Sequence, residues 1–170
     1  SAKKEEKIIA YLKAFGAKHN LETNVDEAGN VLIKKPATPG KENLQTVILQ
    51  SHIDMVCEKN NDVQHDFLTD PIETEIDGEW LKAKGTTLGA DNGIGVATEL
   101  AILADDSIEH GPLECLFTVD EETGLTGAFE LKEGFMSGDI LLNLDSEDEG
   151  EIFIGCAGGI DSVAEFSYKE

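Results

Sequence analysis

Apolar positions along the chain follow two periods, and each period predicts a kind of element. Across residues 3–19, Ile8, Ile9, Leu12 and Phe15 recur at helical spacing while Lys3, Glu5, Glu6 and Lys13 lie off the stripe. That pattern predicts an amphipathic helix, with Gly16 as a weak point near its end. Residues 21–25 and 30–35 read as short strands around a turn at Glu27-Ala28-Gly29-Asn30. A polar loop with two prolines leads to residues 46–53, an apolar run of strand length. After a polar excursion over residues 58–70, residues 72–76 and 79–83 predict a hairpin turned by Asp77-Gly78.

A glycine-rich stretch from Lys84 to Gly95 then runs straight into an apolar helix predicted over residues 94–104. The next strand carries Leu113, Cys115, Leu116, Phe117 and Val119, and it closes on Asp120, Glu121 and Glu122 before Thr123-Gly124. A short helix is predicted over residues 124–133, and a third buried strand over residues 140–144, closed by Asp145. Residues 151–156 and 160–168 read as two further strands around Ala157-Gly158-Gly159, a glycine turn consistent with a tight hairpin or a domain junction. Buried strands alternating with helices predict an α/β fold with a mixed, largely parallel sheet and helices on both faces. No internal repeat, low-complexity tract or domain boundary is visible before about residue 150.

That architecture gives the acidic residues a meaning. Asp54, Asp91, Glu121, Glu122 and Asp145 all fall at or just past a strand end, or at a helix start. In open α/β sheets those loops converge on the ligand crevice. Three adjacent acids repel one another unless solvent or a cation offsets them, so the stretch is either a solvated acidic turn or part of a metal site. His52-Ile-Asp54 sets an imidazole and a carboxylate on one side of a strand, a candidate ligand with its supporting group; a satisfied strand histidine is the plain alternative. Asp91 sits where it would serve either as a ligand or as a helix N-cap. The glycine loop lacks the Gly-Lys-Ser/Thr ending of a phosphate loop and the spacing of a dinucleotide fingerprint. The acids after Leu144 lack the spacing of an EF-hand. Oxygen ligands with one imidazole suit zinc, manganese or cobalt.

Charge and cysteine content narrow the class. The 170 residues carry 35 acids against 13 bases, a formal charge of −22, which disfavours nucleic acid and anionic membranes and suits a cation. An apolar content of 40% argues against disorder, and no run reaches the ~18 apolar residues of a membrane span. The lysine-bearing start has no hydrophobic signal region behind it. Cys57, Cys115 and Cys156 are odd in number and read as reduced thiols, so the expected compartment is the cytoplasm.

His52-x-Asp54, Gly89-Ala-Asp91-Asn92-Gly93, Asp120-Glu121-Glu122-Thr123-Gly124 and Leu144-Asp145-Ser146-Glu147 follow one another in an order that resembles a di-zinc peptidase family. That family includes carboxypeptidase G, aminoacylase and carnosinase, and the likeness runs from about residue 5 to the end. The wording SHIDMVCEKN, GTTLGADNGIG, DEETGLTGA and LDSEDEGEIFIGCAGG leans within it toward dipeptidases that cut Xaa-His. The resemblance implies a zinc-exopeptidase fold and two divalent metals, zinc before cobalt or manganese. It implies that His52 and Asp145 hold one metal, Asp91 bridges, and Glu122 binds the other. Asp54 would orient His52, and Glu121 would act as general base on a shared water.

The resemblance further implies a cis peptide at Asp91–Asn92, a small peptide substrate, a homodimeric full-length protein, and a second metal-binding histidine with a lid or dimerisation domain. His19, His65 and His110 do not match that histidine's place, so residues 1–170 are expected to be the N-terminal part of a catalytic domain, incomplete on its C-terminal side and inactive alone. An aminotripeptidase, an N-acyl-amino-acid hydrolase and a non-catalytic acidic metal-binding module are the competing readings.

Overall fold

The computed structural model describes residues 4–146, 148, 150–156, 158–160 and 162–168. The chain opens with α1 (Glu6–Lys18), β1 (Glu22–Val25), β2 (Val31–Lys35) and β3 (Val47–His52). The small hairpin β4 (Thr74–Asp77) and β5 (Trp80–Ala83) precedes α2 (Ala90–Ala104) and β6 (Leu113–Thr118). Two short helical turns, α3 (Glu121–Gly124) and α4 (Thr126–Glu130), lead to β7 (Ile140–Asn143).

Five strands form one mixed sheet in the order β1-β2-β6-β3-β7. β2 is antiparallel to both β1 and β6, whereas β6, β3 and β7 are mutually parallel neighbours. Four of the five strands therefore run the same way, and the carboxyl ends of β3, β6 and β7 open on one edge. β6, flanked on both sides, is buried along its whole length. The alternation of its side chains feeds two cores. Cys115 and Phe117 pack with Val31, Ile33 and Leu49 under Leu12 of α1 and Leu103 of α2. Leu116 packs with Leu32 and Ile48 on the other face, under Leu131, Phe135 and Met136. The second face is thus covered by the segment after α4 rather than by a long helix.

The stripe foreseen on α1 is the buried one, with Leu12 fully buried and Ile8, Ile9 and Phe15 half-buried. Its foreseen start at Lys3 lies outside the described residues. Gly16 lies two residues before the helix end and permits close docking, because a Cβ there would lie 1.9 Å from Thr23 Oγ1. A polar tie anchors the second face. The Glu114 carboxylate is buried on β6, where it accepts hydrogen bonds from Ser137 N at 2.9 Å, Ser137 Oγ at 2.5 Å and Gly138 N at 3.2 Å. Lys34 Nζ stands 3.4 Å away.

Three expectations change. The strand at the end of the sheet forms, but Ile140, Leu141 and Leu142 are half exposed, because β7 is paired on one side only. Residues 151–156 and the described part of 160–168 form no strand. Their apolar side chains, Ile152 and Ile154 among them, face solvent, and among the described residues no strand pairs with them. Ala157 and Asp161 lie outside the described residues. The helix expected over residues 124–133 starts earlier, at Glu121, and is split by Leu125, whose φ of 52° is left-handed.

Glu114 gives the fold a pH signature. Burial alone would raise its pKa, but the Ser137 donors, Lys34 and the Gly138 amide outweigh that and hold it below the usual value. A depressed native pKa contributes stability above the unfolded value of 4.5 and loses it as pH falls through the native one. Denaturant unfolding of Glu114→Gln should show a lower midpoint than wild type at pH 7, with the gap closing below pH 4.5. A gap independent of pH would remove the charge from this role.

Candidate metal centre

The centre is built at the carboxyl end of β3 around His52, the strand's last residue, which is 1% exposed. Its Nδ1 faces Asp54, with a carboxylate oxygen at 3.2 Å and the backbone carbonyl at 3.1 Å. Its Nε2 stands 3.0 Å from Asp91 Oδ1 and 3.8 Å from Asp145 Oδ1. One ring nitrogen is therefore turned to a buried supporting carboxylate and the other to two carboxylates at the mouth.

Asp54 also reaches across to the end of β6. Its two oxygens accept the backbone N–H of Glu121 at 3.0 Å and of Glu122 at 3.1 Å. Those amides are the unpaired donors of the first turn of α3, where a carboxylate is favoured. The turn is aimed by Asp120, whose φ of 51° and ψ of 47° are left-handed. The Asp120 carboxylate accepts the Thr123 and Thr126 hydroxyls. Asn30, fully buried at the start of β2, braces the other side: its Oδ1 accepts Val119 N at 3.1 Å and its Nδ2 donates to Gly127 O at 2.8 Å.

Asp91 arrives from α2. Gly89 caps that helix in a left-handed conformation, and no side chain caps the first turn, so Asp91 is not the N-cap. Asp91 and Asn92 depart from helical angles and are joined by a cis peptide. Asn92 Nδ2 donates to Leu144 O at 3.3 Å, which ties the helix start to the end of β7 beside Asp145.

Two groups of mutually close ligand atoms result: His52, Asp91 and Asp145, and His52, Glu121 and Glu122. All six residues singled out in the sequence thus meet at one strand edge. Asp91 and Glu122 do not share a group among the described residues, and His52 is the only histidine in either. Glu147 of the fourth motif lies outside the described residues.

The electrostatics describe a site short of cation. Burial works against a charged His52 ring, yet its hydrogen bonds to Asp54 and Asp91, helped by Asp145, push its pKa up to about 9. Burial would raise Asp54, but His52 and the Glu121 and Glu122 amides hold it low. Glu121 is pushed up by burial, against the pull of His52 and with the push of Asp145, Glu122 and Asp54. Asp145 is pushed up by burial first and by Asp91 next. The chain has no arginine, and among the described residues no lysine pairs with these carboxylates. Carboxylates crowded on a buried imidazole with no side-chain cation are a donor set that fits a divalent metal such as zinc.

The model of peptidase family M20/M25/M40 matches residues 48–165, which include His52, Asp54, Asp91, Glu121, Glu122 and Asp145. The chain belongs to that family. It is 56% identical over 157 residues to the cytosol non-specific dipeptidase of Escherichia coli K12, covering 92% of this chain and 32% of the relative. Among solved structures it superposes on aminoacylhistidine dipeptidase from Vibrio alginolyticus with a TM-score of 0.89 and 57% identity, covering 92% of this chain and 32% of that one. It superposes on aminopeptidase PepT from Bacillus cereus with a TM-score of 0.73 and 26% identity, covering 87% and 40%. The chain spans about a third of the length of the first two.

Sequence reading passed over Asn30, Asn92 and Asp120 as contributors. Asp120 was visible as an acid, but its left-handed backbone depends on two threonines downstream. Asn30 was visible as a turn residue, but its partners lie 89 and 97 positions away.

Asp54 should act on metal affinity without being a ligand. Asp54→Asn keeps the shape but removes the charge facing Nδ1 and one of the two acceptors for the α3 amides. Zinc titration of the full-length protein should show binding weakened ~10–100-fold, the cost of losing a ligand's supporting partner. Unchanged affinity would rule out the supporting role.

Proposed function

We propose that the full-length protein is a metal-dependent dipeptidase that hydrolyses Xaa-His and related dipeptides. The observation that carries this reading is His52 itself, braced by Asp54 on Nδ1 and turned by Nε2 to Asp91 and Asp145, with Glu121 alongside. The printed names of the two relatives that match at 56% and 57% identity support it, one a non-specific dipeptidase and the other an aminoacylhistidine dipeptidase. Those names span a broad and a histidine-directed preference. The likeness to aminopeptidase PepT, and to a Staphylococcus aureus tripeptidase at 25% identity, favours tripeptide hydrolysis as the second reading.

In this reading His52, Asp91, Asp145 and Glu122 would hold the divalent metal, zinc before cobalt or manganese. When bound, the metal lowers the pKa of a water and polarises the scissile carbonyl. The residues of this chain do the rest. Asp54 fixes the ring of His52 so that Nε2 faces outward. Burial and neighbouring carboxylates give Glu121 a raised affinity for a proton, which suits a group that takes one from water and delivers it to the leaving amine. The second metal-binding histidine, the lid and the dimerisation surface are assigned to the rest of the full-length chain. A cytoplasmic setting accords with an odd number of cysteines read as reduced thiols and with the cytosolic name of the E. coli relative, and the homodimer is part of the same proposal.

Glu121→Gln in the full-length protein should retain its zinc while kcat falls ~10²–10⁴-fold, the usual worth of general acid–base catalysis. Turnover at the wild-type rate would take Glu121 out of the mechanism. Rates on β-alanyl-histidine, other dipeptides and a tripeptide, measured side by side, separate the two substrate readings: a preference for the tripeptide would overturn the dipeptidase assignment.

A further inference from the structure

Beneath the metal centre, where α2 packs on β3, lies a polar cluster that the chemistry above does not use. Glu99 is 0% exposed in the middle of an otherwise apolar helix, and neither carboxyl oxygen has a hydrogen-bond partner. Ser51 Oγ and Asn92 Oδ1 are also buried without partners. The groups turned toward the Glu99 carboxyl are Ser51 and Cys115, outside hydrogen-bond geometry as they stand. Asn92, Gly95 and Glu99 form one column along α2 at spacings of three and four residues. Gly95 is the point of closest approach, since a Cβ there would lie 1.9 Å from Asn92 Oδ1 and 3.0 Å from Ser51 Cβ.

Two members of this cluster adjoin the metal centre through the backbone. Ser51 precedes His52, and Asn92 follows Asp91. An ionised carboxylate has nothing to balance it here. The nearby Lys35 is bound to the carbonyls of Ile102 at 3.1 Å and Asp105 at 2.7 Å. Burial pushes Glu99 up to about 9, and burial together with Glu99 pushes the Cys115 thiol above its ordinary range. A protonated carboxyl has one O–H to give, and a hydroxyl gives one and takes one, whereas Asn92 Oδ1 only takes. One chain of donors therefore runs from Glu99 to Ser51 to Asn92, leaving one Glu99 oxygen to the weak S–H donor of Cys115.

We propose that Glu99 is a positioning residue for the metal centre: as a protonated carboxyl it donates to Ser51, whose hydroxyl donates to Asn92 Oδ1, and this buried chain sets the spacing of His52 and Asp91. The inference rests on reading those two residues as metal ligands. A mere space-filler would be replaceable by an apolar side chain of similar volume at no cost to zinc affinity or to the setting of the His52 ring, whereas a positioning residue would not.

The experiment compares Glu99→Leu and Glu99→Gln with wild type in the full-length protein. Glu99→Leu should fold with an equal or higher unfolding midpoint, yet bind zinc at least ~10-fold more weakly, as loss of an outer partner does, with kcat reduced and KM little changed. Glu99→Gln keeps an N–H for Ser51 and should restore both. In metal-free protein with nitrogen-15 histidine, the His52 ring signals should move in the leucine variant and stay in the glutamine variant. Infrared spectra at pH 7 should show a protonated-carboxyl band that Glu99→Gln abolishes. Wild-type zinc affinity and unmoved ring signals in Glu99→Leu would overturn the proposal, as would a carboxylate band assigned to Glu99. Should the wild type bind no zinc, the metal reading fails, while the ring signals and the infrared band still decide the role of Glu99.

Discussion

The Asp54 carboxylate is the interaction on which the rest of the centre depends. It stands at the end of one parallel strand, faces the ring of His52 at 3.2 Å, and takes the first two amides of the helical turn that follows the neighbouring strand. Two otherwise independent loops are thereby locked to each other through a single buried group. Burying that charge is unfavourable unless donors surround it, and here a ring nitrogen and two backbone N–H groups do so. The candidate ligands His52, Asp91, Glu122 and Asp145, and Glu121 beside them, inherit their relative positions from this junction.

Sheet geometry explains why such a junction can exist. Parallel pairing of β3 with β6 and β7 brings three strand ends to one edge, and the register sets His52 opposite Thr118 and Gln50 opposite Asn143. Side chains one layer below the edge reinforce the alignment: Gln50 Nε2 donates to Thr118 Oγ1 at 3.1 Å, and Asn143 Nδ2 donates to Gln50 Oε1 at 2.6 Å. Each strand end then differs in what it delivers. β3 brings the imidazole, β6 the pair of glutamates, and β7 the aspartate.

Much of this was legible in the chain because the signals were local. The apolar run over residues 46–53 carries His52 and leads straight to Asp54, and the run over residues 113–119 leads straight to its acids, so strand and functional group could be read together. What escaped was non-local or depended on burial. The run at residues 140–144 looked like a core strand by composition, but an edge position leaves the same side chains half exposed. The apolar run over residues 151–156 had strand composition without a neighbour to pair with, and composition cannot report a missing neighbour. Glu99 carried no sequence signal of its own inside the helix expected over residues 94–104. Its meaning came from Ser51 beside it and from Asn92, and Ser51 and Asn92 crowd the one helix position, 95, that carries no side chain.

The half-open edge of β7 also bears on how these 170 residues behave in solution. Its free side offers backbone donors and acceptors flanked by Ile140, Leu141 and Leu142, a surface suited to recruiting another strand. A formal charge of −22 opposes such encounters, but only over a distance that dissolved salt sets, ~10 Å at 0.1 M. Colloidal behaviour is therefore governed by ionic strength: dilute buffer keeps copies apart, and added salt lets the open edge find its like.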